Sequence, residues 1–333
     1  MGWQILGQQK AIDLLQGSIK IGQLSHAYLF IAPPHVGKMT LSLNLAQALN
    51  CDSDDPPCGE CSTCRRIAAG KYPDVQVIGV ATEGKTDIGI DQIRELQAMA
   101  SLPPFEGKYK IFLIAGAEHL SIEAANCLLK ILEEPLPSIL LLLLTDKQNL
   151  VLPTVVSRCQ CIRLSPLPMS SIKSILIDRY ETDEQKAELV AHLSHGCLGW
   201  ALSAIEDEQH LQHRTTALDA FNELMEASYT HRFSYASDLA SAFGKNRAHV
   251  ENVLALWIDW WRDLLLLKTG NDEYITNVDY QSVLQGIAER CRLSQIQAFI
   301  RSIQTAAIQL GQNANSRLVL ETLVLDMPVI HRA

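Results

Sequence analysis

The chain has 333 residues, 47% of them hydrophobic, with 37 acidic against 28 basic side chains and a net charge of −9. That length and apolar content fit two or three globular domains with sizeable cores, and the sequence holds no low-complexity tract or internal repeat. The negative charge excludes a protein that grips nucleic acid mainly by its own electrostatics, though not one that works on DNA inside an assembly whose other members carry the positive charge.

The opening MGWQILGQQK lacks a basic-then-apolar signal, so the chain is expected to remain in the cytoplasm. No membrane segment is expected either, because the apolar run Ile139–Leu144 is far too short to cross a bilayer. An amphipathic stretch near Gln8–Ile21 predicts a helix, and AYLFIA after it predicts a buried strand. That strand runs into IAPPHVGKMT (Ile31–Thr40), and LSLNLAQALN beyond it has helical character. Strand, loop, helix is the setting of the phosphate-binding pattern G-x-x-x-x-G-K-[ST], in which backbone N–H groups and a lysine surround phosphates and a hydroxyl holds Mg²⁺.

Gly37 and Lys38 satisfy that pattern, but Ala32 replaces its first glycine and Met39 its hydroxyl residue. Thr40 could stand in for Met39 only if the helix began in a shifted register, since adjacent helical residues point about 100° apart. Pro33 and Pro34 remove two N–H donors, and His35 adds bulk where close phosphate approach favours glycine. At most, weak or vestigial nucleotide binding is expected at Gly37, Lys38 and Thr40.

CDSDDPPCGECSTC follows, with Cys51, Cys58, Cys61 and Cys64 spaced C-x6-C-x2-C-x2-C. Two C-x2-C turns bring thiolates together with little chain, so the spacing predicts a closed four-thiolate site for a structural Zn²⁺, with no open coordination position for catalysis. An iron–sulfur cluster also uses cysteine ligands, and spacing alone leaves it open. The odd count of nine cysteines argues against a disulfide framework. Cys127, Cys159, Cys161, Cys197 and Cys291 are expected to be packing residues.

Further on, VQVIGV predicts a short strand, and a helix is expected from Asp91, with Ile93, Leu96 and Met99 on one face. KIFLIAG and ILLLLLT are near-continuous apolar runs, typical of parallel strands covered on both faces. An ATPase of this build needs a carboxylate for the metal at the end of the neighbouring strand. KIFLI runs instead into Ala115 and Gly116, and Glu118, slightly beyond, is expected to be a surface residue at a helix start. With loop glycine, metal hydroxyl and strand carboxylate altered together, hydrolysis by this chain alone is not expected.

Near LSPLP (Leu164–Pro168) the strand signals end and helix follows helix. The expected organisation is an α/β phosphate-loop domain over 1–166, a small helical domain over 167–207 and a larger helical domain over 208–333. Trp257, Trp260 and Trp261 recur with Leu254 and Leu264 at helical spacing, which predicts core packing.

Taken together, LSHAYLF before the loop, the cysteine knuckle, NCLLKILEEPLPS (Asn126–Ser138) and LPTVVSRCQ (Leu152–Gln160) resemble the bacterial DNA polymerase III clamp-loader subunits of the AAA+ class. WIDWWRDLLLLKTG and NANSRLVLE (Asn313–Glu321) extend the resemblance over most of the chain. The gamma/tau subunits of this class keep intact ATPase motifs; this sequence looks like the member whose hydrolytic parts are degraded. The resemblance implies an AAA+ domain with parallel sheet and zinc knuckle, a helical lid, and a helical collar used for oligomerisation.

It also implies partners: gamma/tau and delta subunits, and, through the assembly, the sliding clamp and primed DNA. In the family the arginine of the SRC segment reaches the ATP of a neighbouring subunit. Carried over, that arginine is Arg158, set between Ser157 and Cys159. The resemblance further implies an arginine early in the last lid helix, where HGCLGWALS has Gly199 or Trp200, and a first sensor at Thr145. Glu133 and Glu134 could serve an interface or cap the helix. The competing readings are an active gamma/tau-like ATPase with Glu118 and Thr40 replacing the lost groups, and an independent zinc-dependent nucleic-acid-binding protein.

Overall fold

Alternation along the strands builds the first part of the molecule. The computed structural model describes residues 2–80, 87–207, 209–312 and 314–329. Glu208, the expected first residue of the last domain, and Asn313, which opens the NANSRLVLE segment, lie outside them. Five parallel strands, β1 (Ala27–Ile31), β2 (Val75–Ile78), β3 (Lys110–Ala115), β4 (Ile139–Thr145) and β5 (Gln160–Arg163), form one sheet in the order β2-β3-β4-β1-β5. Successive side chains of a strand point to opposite faces. Tyr28, Phe30, Ile111, Leu113, Leu140 and Leu142 therefore enter one core, and Ala27, Leu29, Phe112, Ile114, Leu141 and Leu143 enter the other.

Helices α1 (Gln9–Ile21), α2 (Lys38–Asn50) and α3 (Ser62–Ala68) cover the first face through Ile12, Leu15, Leu41, Leu45 and Ile67. Helices α4 (Ile90–Ala100), α5 (Ile122–Glu133) and the single turn α6 (Pro153–Val156) cover the second through Ile93, Leu96, Leu128, Ile131 and Val155. Both faces being covered explains why the strands read as unbroken apolar runs. The two edge strands are the exceptions: only Val75 of β2 and Ile162 of β5 are buried, so neither carries such a run.

Asp74, fully buried ahead of β2, organises the turn that leads into β3. Its carboxylate accepts the N–H groups of Phe105, Glu106 and Gly107 at 2.7, 2.9 and 2.8 Å. Burial alone would raise its pKa, but these donors outweigh burial and hold the carboxyl below its ordinary value. Asp74→Ala is expected to cost about 3 kcal/mol in equilibrium unfolding, since it removes three hydrogen bonds to a buried carboxylate. With the folded pKa depressed, this contribution is complete above the unfolded value near 4 and is lost as pH falls through the folded one.

The chain divides into two compact units, Met1–Pro168 with Gly196–Trp200, and Met169–His195 with Ala201–Ala333. The second unit is helical. It comprises α7 (Met169–Tyr180), α8 (Glu184–Leu193), most of α9 (Leu198–Glu206), α10 (Gln209–Glu226), α11 (Tyr229–Lys245), α12 (Arg247–Lys268), α13 (Gln281–Arg290), α14 (Leu293–Gly311) and α15 (Ser316–Asp326). Trp257, Trp260 and Trp261 of α12 are all but inaccessible in its core, where Trp257 stacks on Phe221 and Trp261 meets Phe299 edge-on. Among the described residues, no helix is long and apolar enough to cross a membrane.

Candidate functional site

β1 delivers the chain into the phosphate-loop candidate, and α2 starts at Lys38 with no shift of register. Met39 therefore packs against the core and Thr40 points outward, exposed. Lys38 carries three N–H donors, and the structure gives it three acceptors: Ala32 O at 2.7 Å, Pro33 O at 2.8 Å and Asp146 Oδ1 at 2.5 Å. The lysine thus ties the loop to itself and to the residue after β4. His35 adopts a left-handed backbone (φ 62°), and its carbonyl accepts the N–H of Gly199 at 2.9 Å. A Cβ at Gly199 would stand 2.8 Å from that oxygen. Glycine at this place is thus required by a close backbone contact that closes the loop from the side.

Glu118 departs from the expectation of a surface residue. It lies in a single 3₁₀ turn, half-buried, and its Oε1 accepts the N–H of Asp146 at 3.1 Å. The buried Thr145 accepts the N–H of Lys147 at 3.1 Å, so its hydroxyl serves a local turn. Asp146 was not singled out by sequence reasoning, which looked for a carboxylate at the end of β3; the carboxylate that matters stands one strand over, at the end of β4.

The four cysteines converge. Cys51 ends α2, Cys61 caps α3, and all four sulfurs lie within 4.8 Å of one another. Tetrahedral zinc with bonds of ~2.3 Å sets its sulfurs about 3.8 Å apart; the observed separations are 3.6 Å for Cys51–Cys58 and 4.0 Å for Cys51–Cys61 and Cys58–Cys64. The donor set and its spacing fit a closed four-thiolate site. Backbone N–H groups of Cys61 and Glu60 hold the Cys58 thiol down at about 6, whereas burial pushes the Cys64 thiol up. Of the other cysteines, Cys291 is buried and Cys127, Cys159 and Cys197 are half-buried. Cys161 is exposed and does not pack as expected, because it faces outward from the edge strand.

Arg158 stands on the turn between α6 and β5. Its Nη2 meets Glu133 Oε1 at 2.7 Å, and its Nη1 donates to Thr154 O at 3.0 Å. The register sets it apart from the loop. Gln160, which opens β5, pairs with Tyr28 near the start of β1, while the loop leaves the far end of β1 after Ile31. From Tyr28 to Ala32 is about 13 Å of strand, and Arg158 precedes Gln160 by two residues. Arginine and loop thus lie at opposite ends of two neighbouring parallel strands, Arg158 ahead of β5 and the loop after β1.

Known proteins resemble this arrangement in sequence. Residues 7–168 match the family described as DNA polymerase III, delta subunit, and residues 200–328 the one described as DNA polymerase III, delta subunit, C terminal. DNA polymerase III subunit delta' of Bacillus subtilis (strain 168) is 30% identical over 322 residues, 96% of this chain and 95% of that protein. Subunit delta' of Pseudomonas aeruginosa is 29% identical, covering 91% of this chain and 92% of its own. Subunit tau of B. subtilis is 31% identical over 209 residues, but these are 61% of this chain and 36% of tau. Because the likeness to delta' spans nearly the whole of both chains and that to tau only part of each, the chain belongs to the DNA polymerase III delta' subunit family.

Proposed function

We propose that this chain is a non-hydrolysing subunit of the DNA polymerase III clamp loader. It supplies Arg158 in trans to ATP held by a neighbouring gamma/tau subunit, within an assembly that also contains delta and acts on the sliding clamp and primed DNA. In this reading residues 167–207 serve as the lid, 208–333 as the oligomerising collar, and Cys51, Cys58, Cys61 and Cys64 hold one structural Zn²⁺. The observation that carries it is the strand register: Arg158 precedes the N-terminal end of β5 while its own loop leaves the C-terminal end of the neighbouring β1, a separation that favours a nucleotide held by another subunit. A guanidinium suits that task, because the transferred phosphoryl group develops charge on oxygens that a forked donor can contact.

The chain's own loop supports the same reading from the other side. Lys38 is occupied by its loop carbonyls and Asp146, and Thr40 is exposed, which leaves Gly37, Lys38 and Thr40 as a vestige of a nucleotide site. The isolated chain is therefore expected to turn over no ATP. In the assembly reconstituted with gamma/tau and delta subunits, Lys38→Ala is expected to change the hydrolysis rate by less than about twofold. Turnover by the isolated chain, lost on Lys38→Ala, would establish a working ATPase and overturn the proposal.

A further inference from the structure

The partner of Arg158 is a residue that helix electrostatics would not choose. Glu133 is the last residue of α5, and Glu134 follows as its cap. The C-terminal end of a helix carries partial negative charge, which disfavours carboxylates there by roughly 0.3–1 kcal/mol. Both members of the Arg158–Glu133 pair are well exposed, at 36% and 50%, and exposed ion pairs contribute little to stability. Neither helix formation nor folding therefore accounts for a carboxylate at this position. What the pair does is fix an otherwise flexible side chain. Glu133 Oε1 takes Nη2 at 2.7 Å, while Thr154 O and Ser157 Oγ take Nη1 at 3.0 and 3.4 Å. Two separate elements thus hold the guanidinium, by an ion pair from the end of α5 and by hydrogen bonds from the α6 turn to Nη1.

Resting on the finger reading above, we infer that Glu133 is the positioning residue of Arg158: its carboxylate holds the guanidinium so that N–H donors of Nε and Nη2 stay available to the neighbour's phosphate. An arginine left free would have to be ordered during each encounter, at the cost of its side-chain freedom. Prior ordering by Glu133 removes that cost. A neutral oxygen in the same place would keep a short contact to Nη2 without the charge, so the two contributions can be separated by substitution.

The test is ATP hydrolysis by the assembly reconstituted with gamma/tau and delta subunits, comparing Arg158→Ala, Glu133→Ala, Glu133→Gln and the Arg158→Ala/Glu133→Ala double variant. Glu133→Ala is expected to lower the rate roughly tenfold, the scale set by ordering one long side chain. Glu133→Gln, whose amide oxygen can take the Oε1 position beside Nη2, should recover most of that loss. In the Arg158→Ala background, removing Glu133 should cost nothing more. The inference is overturned by an unchanged rate for Glu133→Ala beside a large loss for Arg158→Ala, by a rate raised above the starting protein, by equal losses for Ala and Gln, or by a further loss in the double variant. An unchanged rate for Arg158→Ala itself would remove the finger reading first, and this inference with it.

Discussion

Arg158→Ala is expected to lower ATP hydrolysis by the reconstituted assembly by about 10³-fold or more, the scale of arginine fingers supplied in trans. The side chain is on the surface, and its contacts with Glu133, Thr154 and Ser157 are peripheral to both cores. The variant should therefore fold and assemble like the starting protein. Arg158→Lys should recover little: an ammonium is a point charge that cannot present the planar fork. Binding of ATP to the neighbour should change far less than turnover, because the finger meets charge that develops as the phosphoryl group transfers. A hydrolysis rate unaltered by Arg158→Ala, in an assembly of normal composition, would sink the trans role.

How far such a site could be read from the sequence depended on the range of the interactions involved. The parallel sheet was legible because both of its faces are covered, which writes itself into KIFLIAG and ILLLLLT as unbroken apolar runs. The four-cysteine cluster was legible because its members fall within one short stretch of chain. β5 escaped notice because its four residues, QCIR, offer a single apolar aliphatic side chain, whereas the other edge strand, VQVI, still shows alternation. Asp146, and the pairing of Glu133 with Arg158, escaped for a different reason. Lys38 meets Asp146 across 108 residues, and Arg158 meets Glu133 across the whole of β4; neither pairing has a local pattern. Gly199 is the instructive middle case. The resemblance makes Gly199 or Trp200 the place of a lost arginine, whereas the structure adds at Gly199 a contact with His35 that no side chain would permit. The loop is thus closed as well as altered, by its own lysine and by Gly199.

Metal analysis of the purified chain is expected to find about one zinc, with no visible absorption of the kind an iron–sulfur cluster gives. Cys58→Ser or Cys64→Ser should abolish binding, because a closed tetrahedral site that loses one of its thiolates loses both charge balance and geometry. The consequence should be structural. Cys51 terminates α2 and Cys61 caps α3, and Gln47 of α2 donates to Cys64 O at 2.8 Å, so the knuckle fastens two helices of the first core. Zinc binding releases large free energies in small peptides that fold only with metal. Here the sheet has its own core, so only the local share is at stake. A loss of about 3 kcal/mol, at roughly 2–4 °C per kcal/mol for a domain of about 150–250 residues, lowers the unfolding midpoint by on the order of 10 °C. Chelation should reproduce the shift and added zinc should reverse it. A metal-free preparation with an unchanged midpoint would show that the four sulfurs hold nothing the fold requires.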